Sequence, residues 1–143
     1  MKTVERATIL ARVAGFFPLL GPMTPDELID LVRLELGHAE ILDGFRPYAG
    51  GFSHVVPNDP LLHVISGNTP HAGLQSLMRG LLLGAQNFVK LPSGGLRDID
   101  DFVNLLPASL AGKVATAVDL PDQWLSESRT CIVFGSDSTI AHF

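Results

Sequence analysis

Hydrophobic positions divide the chain into two regimes. Up to residue 60 they recur at helical spacing or give way to turn residues. From residue 61, short apolar-rich runs alternate with amphipathic stretches. In "VERATILARVAGFF", Val4, Ala7, Leu10, Ala11 and Ala14 fall at helical spacing, and Gly15 and Pro18 close the segment. "TPDELIDLVRLELG" is the clearest helix start: Thr24 is placed as N-cap, Pro25 at the first helical position, and Glu27 completes a capping box. Leu28, Leu31, Val32 and Leu36 form one face and Gly37 stops it. Residues 43–60 hold three Gly and three Pro, the mark of a connection, in which "SHVV" is a short-strand candidate.

The second regime predicts four strands, at 61–66, 87–91, 113–119 and 130–135. Between the first two lies a helix over 71–84 with Leu74, Leu77, Met78, Leu81 and Leu82 on one stripe. A second helix over 96–112 turns Ile99, Phe102, Val103 and Leu106 inward, with Pro107 bending or ending it. "DQWLSES" gives a short helical turn, and "SDSTIAHF" starts a last helix. The alternation predicts an α/β fold: a parallel, doubly wound (Rossmann-like) sheet over residues 61–143, behind a helical lead-in and connection over 1–60. Such sheets bind ligands beyond the carboxyl ends of their strands.

Composition changes that picture in three ways. A hydrophobic content of 46% against 17% charged suits a sheet covered on both faces, and equally a chain with an exposed interface to a second copy or another subunit. The net charge of −5, without a basic cluster, excludes nucleic acid as an expected partner. The single cysteine, Cys131, leaves no internal disulfide and no cysteine-based zinc site, so a reducing, cytoplasmic setting is expected. The apolar runs fall short of the roughly 20 residues of a membrane span. Glu5 and Arg12 interrupt the N-terminal apolar region, which reads as an amphipathic helix and not as a signal peptide.

Three strand ends combine turn residues with polar groups. After the first strand, "SGNTP" offers Gly67 for close backbone approach and the Asn68 amide as a donor; the same stretch serves as a turn, with Thr69 or Ser66 as N-cap and Pro70 opening a helix. After the second, "VKLPSGG" puts the Lys90 ammonium where ribose hydroxyls or a phosphate would lie. After the fourth, "FGSDST" offers Gly135 for phosphate approach and the Ser136 hydroxyl, although Asp137 in the same turn repels an anion close by. Neither G-x-G-x-x-G nor G-x-x-x-x-G-K-[ST] occurs. Taken together, the three ends favour a dinucleotide site.

Other polar residues carry bland readings. His38, His54, His63, His71 and His142 show no metal-type spacing, and no metal site is expected. His63 reads as a satisfied core residue, His71 as a surface residue at a helix start, "DIDD" (98–101) as a solvated helix start, and Trp124 as packing. No Ser-His-Asp or Cys-His arrangement stands out.

"NTP" (68–70), "NFVKLPS" (87–93) and "FGSDSTIA" (134–141) resemble the Asn-x-Pro turn, the Val-x-Lys-Pro-Ser segment and the Phe-x-Gly-Ser segment of the aldehyde dehydrogenase superfamily. Leu91 separates Lys90 from Pro92, where most of the superfamily has them adjacent. That departure, with "HVISGNTP" and "VFGSD", is similar to the acyl-CoA reductase branch that includes the fatty-acid reductases of bacterial bioluminescence. The resemblance covers about residues 60–143. It implies reduction of acyl thioesters, acyl-CoA among them, to aldehydes with NADP or NAD as cofactor. It implies Asn68 at the oxyanion, Lys90 at the ribose, and Gly135 and Ser136 at the phosphates. Lys90 and Ser93, where an acidic residue would argue for NADH, lean towards a 2′-phosphate. The implied chemistry also needs a cysteine thiolate that attacks the carbonyl. Cys131 lies inside the fourth strand and is expected to be buried and apolar. The chain therefore reads as the front portion of a reductase, inactive alone; the alternative is a non-catalytic α/β binding or assembly module.

Overall fold

Four of the apolar runs pair side by side in the computed structural model, which describes residues 1–141. Two helices lead in, α1 (Thr3–Ala14) and α2 (Pro25–Leu36), followed by a hairpin of β1 (Arg46–Tyr48) and β2 (Gly51–Ser53). The alternating part runs β3 (Leu61–Val64), α3 (Pro70–Leu83), β4 (Asn87–Lys90), α4 (Arg97–Leu105), α5 (Ala108–Ala111), β5 (Val114–Ala117), α6 (Asp122–Glu127), β6 (Thr130–Val133) and α7 (Asp137–Ile140). The sheet order is β5-β4-β3-β6 and every pairing in it is parallel. The chain thus walks outward from β3 to β5 and returns to the other side of β3 for β6. That reversal is the topological switch point of a doubly wound sheet.

The two faces bury different things. On one, Ile65, Val89 and Leu91 pack with the α3 stripe Leu74, Leu77, Met78, Leu81 and Leu82, with Ile99 and Phe102 of α4, and with Ala7, Leu10, Ala11 and Ala14 of α1 in one apolar cluster. The lead-in helices are therefore part of the core that backs the sheet. On the other face, Leu62, Val64 and Phe88 meet Trp124 of α6. The Trp124 and Phe88 rings stack at 4.8 Å with 7° between planes, which fixes α6 against β4. Trp124 is packing, as its sequence context indicates.

Local chemistry explains most boundaries. Thr24 accepts from the Glu27 amide, and Glu27 reaches back to the Thr24 amide at 2.7 Å, completing the box; those hydrogen bonds from Thr24 hold the Glu27 carboxyl below its ordinary range. Strands end one or two residues before the apolar runs do. The expected 96–112 helix is two helices, because Leu106, before Pro107, is forced into extended backbone (φ −74°, ψ 146°). The "SHVV" strand is a correction: β2 stops at Ser53. Ala49 and Gly50, both at positive φ (50° and 84°), make the tight two-residue turn that pairs Tyr48 with Gly51 instead. Val4 is 55% exposed, and Thr3 and Arg6 take its expected place in the interior.

His63 is fully buried on β3 and fully bonded. Asn87 donates its amide to the Ala85 carbonyl at 2.8 Å, so its Oδ1 faces His63 and accepts from Nε2–H at 3.0 Å. Nδ1 then accepts the Ser76 hydroxyl proton at 2.8 Å. Burial holds the His63 pKa below its ordinary value, so the folded imidazole is neutral. The unfolded chain takes up that proton near pH 6.5 and the folded one does not, so stability is complete above that pH. It falls as pH drops below it towards the lower folded pKa, at no more than about 1.4 kcal/mol per pH unit. Urea midpoints at pH 7.5 and 5.5 check this. His63→Gln should flatten the difference, and an unchanged difference in that variant would assign the slope elsewhere.

Candidate functional site

The switch point lies between the carboxyl ends of β3 and β6, the place where a doubly wound sheet opens a crevice for ligands. A cavity of about 650 Å³ lies there, inside the range of small-molecule sites. Gly67 reaches it from the turn after β3, Lys90 is the last residue of β4, and Gly135 follows β6. Three residues from three strand ends thus share one concavity. A Cβ on Gly67 would rest in ordinary contact, 3.7 Å from Pro92, so this glycine keeps the wall low without being forced by a clash.

Asn68, Ser93 and Ser136 are exposed and each follows a lining residue by one position. The Asn68 amide N–H donates to Ser66 Oγ at 3.3 Å, folding the turn back on itself, and leaves the side chain outward. Thr69 occupies the N-cap position of α3 without a side-chain bond, and Pro70 opens the helix as expected. The turn is therefore both a helix start and one rim of the cavity.

The remaining wall lies outside the predicted site residues. Leu120, Asp122 and Leu125, from the segment after β5 and from α6, line the same cavity. The rule that singles out the other strand ends reaches them when applied to "VDLPDQWL", since β5 ends at Ala117. The donor set fits a nucleotide: a cation, close-approach glycines and an apolar side wall, around a space of suitable volume.

Cys131 corrects an expectation. It is exposed, on β6, an edge strand of the sheet. Partial burial still pushes its thiol up, away from the thiolate a nucleophile needs, and it does not line the cavity. His71 is exposed at the start of α3, and Asp101 pairs with Arg97 at 3.4 Å on the outside of α4. His142 lies outside the described residues. Among the described residues, no helix is long and apolar enough to cross a membrane.

A family model described as acyl-CoA reductase (LuxC) matches residues 11–141. A long-chain acyl-protein thioester reductase of Photorhabdus luminescens is 33% identical over 66 residues, and one of Vibrio harveyi is 31% identical over 64. Those stretches cover 46% and 45% of this chain, but only 14% and 13% of the two relatives. The match agrees with the resemblance carried by the strand-end motifs.

Proposed function

The chain belongs to the acyl-CoA reductase (LuxC) family, and on that footing we propose that it forms the dinucleotide-binding front portion of a reductase that converts acyl thioesters to aldehydes with NADPH or NADH. The observation that carries this reading is the convergence of Gly67, Lys90 and Gly135 on one cavity at the switch point. A dinucleotide is a long polyanion with ribose diols. It needs a compact cation at the sugar and bare backbone at the phosphates. Lys90 bonds the ribose hydroxyls and, with Ser93, any 2′-phosphate. Gly135 admits the phosphates and the Ser136 hydroxyl donates to them. Asn68 donates to the carbonyl oxygen of the thioester as charge develops there. The cofactor, when bound, supplies the hydride.

By itself the chain binds nucleotide without reducing thioesters, because its one thiol lies off the cavity. Calorimetric titration with NADPH and NADH tests the reading. Binding with Kd below about 1 mM is expected, and Lys90→Ala should weaken it at least about tenfold by removing the charge-assisted bonds. Failure of both nucleotides to bind at millimolar concentration would overturn it.

A further inference from the structure

A cavity holding one cation and one anion that do not neutralise each other selects more than a polyanion. Lys90 enters from β4 and Asp122 from the first residue of α6, and among the described residues neither side chain has an ion-pair or hydrogen-bond partner. Both groups keep their full bonding capacity for a ligand. Leu120 and Leu125 bracket Asp122 in sequence and add apolar wall on the same side. The stacking of Trp124 on Phe88 locks α6 to the strand that carries Lys90, two residues further on, so the spacing of the two charges is set by the fold.

We propose that Asp122 reads the base of the nucleotide: its carboxylate accepts a hydrogen bond from the exocyclic amino group of adenine, whose ring lies against Leu120 and Leu125. The proposal rests on the dinucleotide reading above. With the adenosine ribose at Lys90, the base attached to that sugar is the part of the ligand within reach of this wall, because α6 is stacked on the strand that carries Lys90. A purine needs apolar surface for its faces and a polar group at its edge, and the wall offers both. A carboxylate has acceptors only, so it favours an amino group at that edge and repels a carbonyl oxygen. Asp122 is thereby a specificity-determining residue, distinct from Lys90, which reads the sugar whatever the base.

The test compares AMP with purine riboside 5′-monophosphate, which lacks the amino group, on the full 143-residue chain by ligand-observed NMR. The wild type should bind AMP about tenfold more tightly, the scale of one charge-assisted hydrogen bond. Asp122→Ala should weaken AMP about tenfold, leave the amino-free nucleotide unchanged and so erase the discrimination. Lys90→Ala should weaken both equally. If the wild type does not discriminate, or Asp122→Ala weakens both nucleotides alike, the assignment is wrong while nucleotide binding stands. If neither these ligands nor NADPH binds the wild type, the dinucleotide reading fails and this proposal fails with it.

Discussion

Gly80→Ala should lower the unfolding free energy by about 3 kcal/mol, although it adds one methyl group and removes a poor helix former. At Gly80, α3 lies tight against the sheet. A Cβ there would fall well inside van der Waals contact distance of Asn87 Oδ1, and 3.2 Å from Leu61 Cδ1. Asn87 is fully buried and cannot turn aside, since Oδ1 accepts from His63 and Nδ2 donates to Ala85. Either α3 lifts, loosening the apolar contacts of Leu77 and Leu81, or the amide swings out and leaves His63 Nε2 without its acceptor. Overpacking costs roughly 1–3 kcal/mol and an orphaned buried polar group about as much, against about 1 kcal/mol gained in helix propensity. A fall in Tm of roughly 10 °C should follow for a chain of this size. Asn87→Ala added to Gly80→Ala removes the clash, so the pair should be clearly less than additive. Gly73 gives the contrast. A Cβ there first meets the Ile65 side chain, which holds no hydrogen bonds and can change rotamer, so Gly73→Ala should cost less. Equal losses at the two glycines would show that the rigidity of Asn87 is not the cause.

The sheet is legible in the sequence because short, apolar-rich runs alternate with helix-patterned stretches, and α3 and α4 each carry an apolar stripe. The position of the site follows from topology, which puts ligands at carboxyl edges whatever the residues are. Other features depend on groups far apart in the chain, and no local pattern announces them. Cys131 reads as buried when its neighbours are counted, but its exposure depends on β6 being an edge strand. His63 reads as a satisfied core residue, but its partners are not legible until the fold places Asn87 beside it and α3 brings Ser76 over it. The hairpin escapes local reading for a different reason. Its turn uses Ala49 at positive φ, which propensity assigns to glycine or asparagine, so the Gly50–Gly51 pair resembles a loop. Asp122 is within reach of the strand-end rule, but the third strand end carries no glycine to mark it.

Arg6→Met is the second large loss expected, about 2–3 kcal/mol, from a residue that helical spacing would leave at the surface. The guanidinium is buried and works as a three-way staple. Nε donates to the Leu82 carbonyl at 2.8 Å, Nη1 to the Met1 carbonyl at 2.7 Å, and Nη2 to Thr3 Oγ1 at 2.9 Å. Asp43 faces it at 3.9 Å and accepts from both the amide and the hydroxyl of Thr3. Leu82 belongs to the last turn of α3, where carbonyls lack helical partners, so Arg6 caps the helix that follows the Gly67 turn. Gly84, at φ 87°, ends that helix and keeps open the space the guanidinium fills; a Cβ there would stand 3.3 Å from Arg6 Cζ. Burial pulls the Arg6 pKa down and Asp43 opposes the shift, so the cation is retained at a cost that its bonds offset. Methionine keeps the apolar stem and removes every donor, leaving the Leu82 carbonyl and the Asp43 carboxylate without the cation. Asp43→Asn keeps an acceptor for Thr3 and should cost only about 1 kcal/mol. The double variant should then be less destabilised than the sum, because an uncharged amide in place of the Asp43 carboxylate no longer needs the guanidinium. Lysine restores the charge but not the planar fork, so Arg6→Lys should recover less than half of the loss. Full recovery with lysine would mean that charge alone holds α1 to α3, and strict additivity of the double variant would mean that Arg6 and Asp43 act separately.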